Sequence, residues 1–289
     1  MIIGKKMRDP VQISDQYQAE YRIEEEKIQF VKYLGTEEEY QIPDQIENRP
    51  VTEVAEYAFA EHRNLYSVTL PPGLLRIGRH AFYNCRGLQE LILSDQVTEI
   101  EDGAFKNCKL LSRLELHTKR DHKLVIKNIL MDSTEGMHAS IIYEEKEASE
   151  RGEFYFPPYL VEYEENTPAR ICEKQAYGSG ERYRHCLYDG QLNYDQYDQL
   201  LDYSIAVDNI EHPIQTTIGR LMYPYELKEE AKVLYEEFLK ERIEDFLIFY
   251  IKREDFRVLE WLLTEKYLTK EESNLAAELC RKYDKNGLL

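Results

Sequence analysis

The sequence predicts an α+β chain in which a short solenoid with an N-terminal β cap is followed by an irregular β-containing segment and an α-helical C-terminal domain. Three observations predict it: self-similarity at an offset of 23 residues between positions 51 and 116, apolar alternation inside each copy, and apolar stripes at helical spacing after position 193. The expected divisions are 1–50 for the cap, 51–120 for three 23-residue repeats, 121–192 for a connecting segment with short strands, and 193–289 for the helices.

In the cap, the apolar runs Lys27-Ile28-Gln29-Phe30-Val31-Lys32-Tyr33-Leu34 and Tyr40-Gln41-Ile42-Pro43 flank Gly35-Thr36-Glu37-Glu38-Glu39. The pattern predicts a hairpin. Its place in the chain suits the need of a solenoid to cover its first apolar cross-section.

The repeats superpose Ala58-Phe59, Ala81-Phe82 and Ala104-Phe105, and the same offset aligns Val54, Ile77 and Ile100, then Leu65, Leu88 and Leu111. Each copy holds an alternating triplet, Val68-Thr69-Leu70, Leu91-Ile92-Leu93 or Leu114-Glu115-Leu116. At period two the outer members of a triplet share one face, so stacked copies form parallel strands over a common core. Small alanines then allow close approach on the return arm, and the phenylalanines fill the interior. The recurrent leucines make these leucine-rich repeats. One further step of 23 lands on Lys127-Asn128, where the period fails, and the next strands are expected near Leu124-Val125-Ile126 and Ile141-Ile142-Tyr143.

The pattern Val-Thr-x-Val-x-x-x-Ala-Phe, the recurrent Asn84-Cys85 and Asn107-Cys108 with a Leu three residues on, and the lead-in Ile42-Pro43 through Pro50-Val51-Thr52 resemble the bacterial surface-antigen (BspA-like) leucine-rich repeat. The resemblance covers about 40–118. It implies a curved right-handed coil with a protein-binding concave face, in a family with many secreted members. His62 stands where the later copies have cysteine.

Beyond Glu153 an aromatic-rich stretch runs from Phe154-Tyr155-Phe156-Pro157-Pro158-Tyr159 through Thr167-Pro168-Ala169-Arg170 and Gly178-Ser179-Gly180 to Tyr197. With the helices after it, this segment is similar to the uncharacterised tail of small leucine-rich repeat proteins of gut Firmicutes, which implies no assigned activity. Asn193 reads as the N-cap of a helix over Tyr194 to about Val207, followed by one from about Pro213 to Met222 that Pro224 ends. A stripe from Leu227 to Ile251 advances by threes and fours, as a buried helix face does. Shorter helices follow over Asp255–Thr264 and Lys270–Tyr283, the latter opened by a Thr269-x-x-Glu272 capping box.

With 55 acidic and 37 basic residues the chain carries a net charge of -18, which opposes phosphate neutralisation and repels anionic lipid. Neither nucleic acid nor membrane is therefore the expected partner. The basic run Lys119-Arg120-Asp121-His122-Lys123 is short and interrupted by an acid, as in a solvated turn. Met1 to Pro10 holds no apolar run of signal-peptide length, and no stretch approaches about 18 uncharged apolar residues, so the chain as given is expected to be cytoplasmic. Cys85, Cys108, Cys172, Cys186 and Cys280 are odd in number and scattered, which suits reduced thiols.

No His-Glu-x-x-His, Walker loop, dinucleotide glycine fingerprint or Gly-x-Ser-x-Gly elbow occurs, so neither catalysis nor a cofactor is expected. Gly178-Ser179-Gly180 reads as a flexible turn. Cys172, His185 and Cys186 form the alternative, a hydrolase or metal site within 153–197, weakened because adjacent residues on a strand face opposite ways. The acidic clusters Glu24-Glu25-Glu26, Glu37-Glu38-Glu39 and Glu144-Glu145 lack calcium-loop spacing and read as solvated loops. What remains is a protein-interaction module. Its binding residues would be the outward strand positions Ser67, Thr69, Glu90, Ile92, Arg113 and Glu115, with Ile92 as anchor and an unidentified protein as partner; a structural subunit of a larger assembly is the other non-enzymatic alternative.

Overall fold

The computed structural model describes residues 10–120, 122–144, 149–166, 171–283 and 285, with the side chains of 164–166 and 171–173 outside that description. Met1 to Asp9, Asp121, Glu145, Thr167 to Arg170 and the side chain of Cys172 therefore lie outside it.

The chain opens with an antiparallel meander of β1 (Gln12–Ser14), β2 (Ala19–Glu24) and β3 (Lys27–Tyr33). From β3 it coils, passing alternately through two sheets. The short strands are β4 (Glu39–Gln41), β5 (Gln45–Ile46), β6 (Arg49–Val54), β7 (Ser67–Thr69), β8 (Arg76–Ile77), β9 (Glu90–Ser94), β10 (Glu99–Ile100) and β11 (Arg113–Thr118). One sheet runs β1-β2-β3-β6-β8-β10, with β5 paired to β6. After α1 (Lys127–Met131), β12 (Met137–Glu144) and β13 (Ser149–Phe156) complete the other sheet, in the order β13-β12-β11-β9-β7-β4. All its pairs are parallel except β12 with β13.

The predicted hairpin over 27–43 is absent. β3 and β4 lie in different sheets, β3 beside β6 and β4 beside β7. Residues 34–38 carry the chain from one sheet to the other, so this segment is itself a coil, and the cap is the meander before it. Its interior matches that of the repeats: the rings of Phe30, Phe59, Phe82 and Phe105 form one column, with neighbouring centroids 5.2, 4.8 and 4.9 Å apart and planes within 11°. Offset-stacked rings in fully buried positions combine the gain from apolar burial with favourable ring electrostatics.

The coil after the repeats is lengthened rather than lost. Arg113 pairs with His138, an offset of 25, and the same step from Ala104-Phe105 lands on Ile129-Leu130 of α1, both fully buried. The expected strand at 124–126 is instead the lead-in to this helix. One helical turn replaces the return arm because two extra residues need a tighter rise to span the same gap.

Two positions in each repeat adopt left-handed backbone: Tyr57, His80 and Gly103, then Glu61, Asn84 and Asn107. Asparagine tolerates this region better than most residues, which accounts for the Asn of the Asn-Cys pairs. The adjacent cysteines satisfy buried carbonyls of the preceding coil, Cys85 Sγ donating to Phe59 O and Cys108 Sγ to Phe82 O. His62 does the equivalent work in the first copy, its Nε2 lying 3.2 Å from Tyr33 O.

Beyond β13 come the hairpin β14 (Leu160–Asn166) and β15 (Ile171–Tyr177), α2 (Gly180–His185), and the pair β16 (Leu187–Tyr188) and β17 (Gln191–Leu192). Gly178-Ser179-Gly180 is not a flexible turn. A Cβ on Gly180 would stand 2.0 Å from Pro157 O, so only glycine fits, and the buried Ser179 bonds Asp208 through both its amide and its hydroxyl.

The helices are α3 (Tyr194–Asp198), α4 (Leu201–Val207), α5 (Glu211–Met222), α6 (Glu229–Glu241), α7 (Ile243–Arg253), α8 (Phe256–Thr264) and α9 (Lys270–Lys282). Asn193 caps α3, accepting from Gln196 N, but the helix expected to reach Val207 breaks around Gln199-Leu200. The stripe from Leu227 to Ile251 is likewise divided at Arg242. Thr269 and Glu272 form the reciprocal capping box on α9. Two apolar cores result: the coil interior, joined by Tyr183, Tyr197 and Tyr225, and a helical core from Leu201 to Cys280.

Buried polar groups tie these elements to one another. Arg184, fully buried, donates to the carbonyls of Leu130, Glu135, Pro157 and Gly180. Arg220 of α5 makes a two-point ion pair with Asp198 of α3, which also accepts from Tyr235 of α6. Tyr197 bonds both the amide and the carbonyl of Tyr155 at the outer edge of β13, at 2.9 and 2.7 Å.

Candidate functional site

The register of the second sheet lines up its outward positions in rows. One row reads Glu39, Ser67, Glu90, Arg113, His138, Tyr155, and the next Gln41, Thr69, Ile92, Glu115, Ser140, Glu153. All six candidate residues thus lie side by side over three neighbouring strands. Their exposure differs. Arg113 is exposed, Thr69, Glu90, Ile92 and Glu115 are half-buried, and Ser67 is only 8% exposed, with its hydroxyl donating to Glu90 at 3.3 Å. Ser67 is therefore part of the sheet's packing more than of its open surface.

Arg113 lies over the Tyr66 ring, bonds the Tyr66 hydroxyl and pairs with Glu90 at 3.2 Å. Ile92 stands between Thr69 and Glu115, an aliphatic group in a polar row.

A third row, Ser94 and His117, belongs to the site and escaped the triplet reading because β9 and β11 run past the third residue of each triplet. Extending the alternation by one more outward position would have found it. Between these strand ends lies a cleft of about 350 Å³, lined by Thr69, Leu70, Pro72, Ile92, His117 and Glu144 among others. His117 is clasped by two carboxylates, Nε2 2.9 Å from Glu115 and Nδ1 3.0 Å from Glu144. Burial alone lowers its pKa, but the two acids outweigh that effect and raise it above the ordinary value.

At the far end of the sheet the rows are closed by the chain itself. His138 Nε2 meets Gln215 of α5 at 3.0 Å, Tyr155 donates to or accepts from His212 Nδ1 at 2.9 Å, and Gly219 lets the helix approach the Glu153 carbonyl. Burial lowers the pKa of both His138 and His212. Histidine-resolved NMR titration should accordingly find His117 protonating above the ordinary 6.5, and His138 and His212 below it. For the latter pair the folded pKa is depressed, so their contribution to stability is complete above the unfolded value and is lost as pH falls through the folded one. The reverse order of titration would refute this placement.

Of the alternative cluster, the Cys172 side chain lies outside the described residues, and the other two members are placed differently from the expectation. His185 and Cys186 sit at the end of α2 instead of on a strand; His185 is exposed, and Cys186 is buried. Burial pushes the Cys186 thiol up to about 12, so it is protonated and poorly suited to attack or to ligate a metal. Among the described residues no three His, Cys, Asp or Glu side chains converge as a metal site. A polar hollow of about 450 Å³ on the first sheet holds Arg76 paired with Glu53, Glu99 and Glu101.

Coils of fixed period, two sheets and an internal phenylalanine column define the class as a leucine-rich repeat solenoid. The model of the BspA type leucine rich repeat region matches residues 38–128 in six copies, and this segment is a repeat region of that family. The match starts in the coil before the three sequence repeats and ends in the 25-residue coil after them.

Among solved structures, a leucine-rich repeat protein of T. pallidum is 28% identical over 38% of this chain and 55% of its own, with a TM-score of 0.34. One from Bacteroides capillosus is 27% identical over 36% of this chain and 80% of its own, with a TM-score of 0.33. A leucine rich cell surface protein of Faecalibacterium prausnitzii is 20% identical over 39% and 40%, with a TM-score of 0.31. The chain spans about half the length of the first of these. No curated protein sequence matches it. Among the described residues no helix is long and apolar enough to cross a membrane.

Proposed function

We propose that the chain is a protein-interaction module whose binding surface is the outward face of β4, β7, β9 and β11. The observation that carries this reading is the open row of Thr69, Ile92 and Glu115, where an aliphatic side chain stands half-buried beside a cleft while α5 covers the same rows farther along. Parallel strands in a solenoid present a rigid array of side chains. Binding there costs little ordering, and an aliphatic anchor inside a polar rim is the usual makeup of an interface centre.

The test is affinity capture from the native cell with quantitative mass spectrometry, comparing the full wild-type chain with Ile92→Asp, Arg113→Glu. Proteins held by this face should fall by about tenfold on the variant, as expected when an interface anchor is removed. Equal recovery on both, with melting unchanged, would place the binding surface elsewhere.

A further inference from the structure

We infer that the cleft beside Ile92 takes a lysine or arginine side chain from an extended, basic protein segment. This rests on the reading of the outward face as a binding surface and gives that partner a chemistry. The cleft crosses the ends of four successive strands of the sheet, β7, β9, β11 and β12. One part of its lining is apolar, with Leu70, Pro72 and Ile92; the other carries Glu144 and His117. A group that suits both parts has an aliphatic stem and a charged head, and the long basic side chains have that construction.

The sign of the head follows from the charges around it. The outward positions of the open coils carry Glu39, Glu90 and Glu115, and Glu144 stands at the rim, whereas Arg113 is the single arginine or lysine on those rows among the described residues. Arg113 is already committed to Glu90 and Tyr66. Asp95, also in the lining, is matched by His122 at 2.8 Å and by the Lys119 amide. Among the described residues Glu115 and Glu144 share the one imidazole between them, so an incoming cation can take over one carboxylate while His117 keeps the other. Lys119, also in the lining, is the residue that would favour the opposite sign. The chain's net charge of -18 favours the approach of a basic segment over an acidic one.

The experiment is fluorescence anisotropy on the full chain with two short labelled peptides, one alternating lysine with serine and the other alternating glutamate with serine. The lysine peptide should bind saturably, and about tenfold more weakly to Ile92→Ser and to Glu144→Gln, since one removes the support of the stem and the other a partner of the head. Glu230→Gln removes the same charge at the start of α6 and should leave the affinity unchanged. Equal binding to all four proteins would reduce the effect to diffuse attraction and overturn the inference, as would preference for the glutamate peptide or absence of saturable binding. Circular dichroism and melting of the variants, both expected to match wild type, separate lost binding from lost folding. If Ile92→Ser abolishes partner capture while the lysine peptide is not selected, the face is right and the cation wrong. If the peptide is selected while capture is unaffected, the cleft binds cations but the face is not the partner's.

Discussion

Phe82→Ala is expected to lower stability by about 3–5 kcal/mol, the cost of deleting a large buried ring together with the cavity it leaves. Phe82 is fully buried and stacked on both sides, 4.8 Å from Phe59 and 4.9 Å from Phe105. The substitution therefore removes two ring contacts at once, each adding about 0.5–1.5 kcal/mol to the burial. The space opens between two coils whose backbones are tied together, Phe59 N donating to Ala81 O and Phe82 N to Ala104 O, so it has little room to collapse. Phe82→Leu, which keeps most of the volume, should cost far less. Differential scanning calorimetry distinguishes the two, and an alanine variant that melts like wild type would show that the column does not hold the coils together.

Asp198→Ala should be comparably damaging, by about 3–5 kcal/mol, because it strands a buried guanidinium. Asp198 receives Arg220 Nε at 2.8 Å, Arg220 Nη2 at 3.0 Å and the Tyr235 hydroxyl at 2.9 Å, and the Arg220 side chain is fully enclosed. Without the carboxylate, Arg220 keeps only its bond to the Tyr225 carbonyl and its position over the Phe154 ring. Replacing both members, with Asp198→Leu and Arg220→Met, removes the desolvated charges together and should recover most of the loss. Urea unfolding of the three variants makes the comparison. A neutral single variant, or a double variant as poor as the single, would contradict this account of the joint between α3, α5 and α6.

The repeats were legible because each coil rests on its neighbour at a fixed sequence distance, so one offset exposes Phe59, Phe82 and Phe105 together. The coils at either end were not, since a 25-residue coil with Ile129-Leu130 in the ring position, and a first coil with Phe30 there, break the period that reveals the others. Strand alternation gives the outward direction of the six candidate surface residues but not their exposure: Ile92, expected to be exposed, is half-buried like Thr69, Glu90 and Glu115, and Ser67 is buried by its covering from neighbours across the sheet. The closure of the rows by α5 had no local signal. His138 and Gln215 are 77 positions apart, and neither sits in a motif. Arg184 and Arg220 were invisible for the same reason: an arginine in a helix reads as solvated until tertiary contacts surround it.

The Tyr197 hydroxyl gives the stack a last storey. Parallel coils can in principle be added without limit, and every ladder ends in main-chain groups that would welcome the flank of another molecule. Here one phenol answers both the donor and the acceptor of Tyr155. The helices that follow thereby occupy, at this rung of β13, the place where the main chain of a further strand would pair.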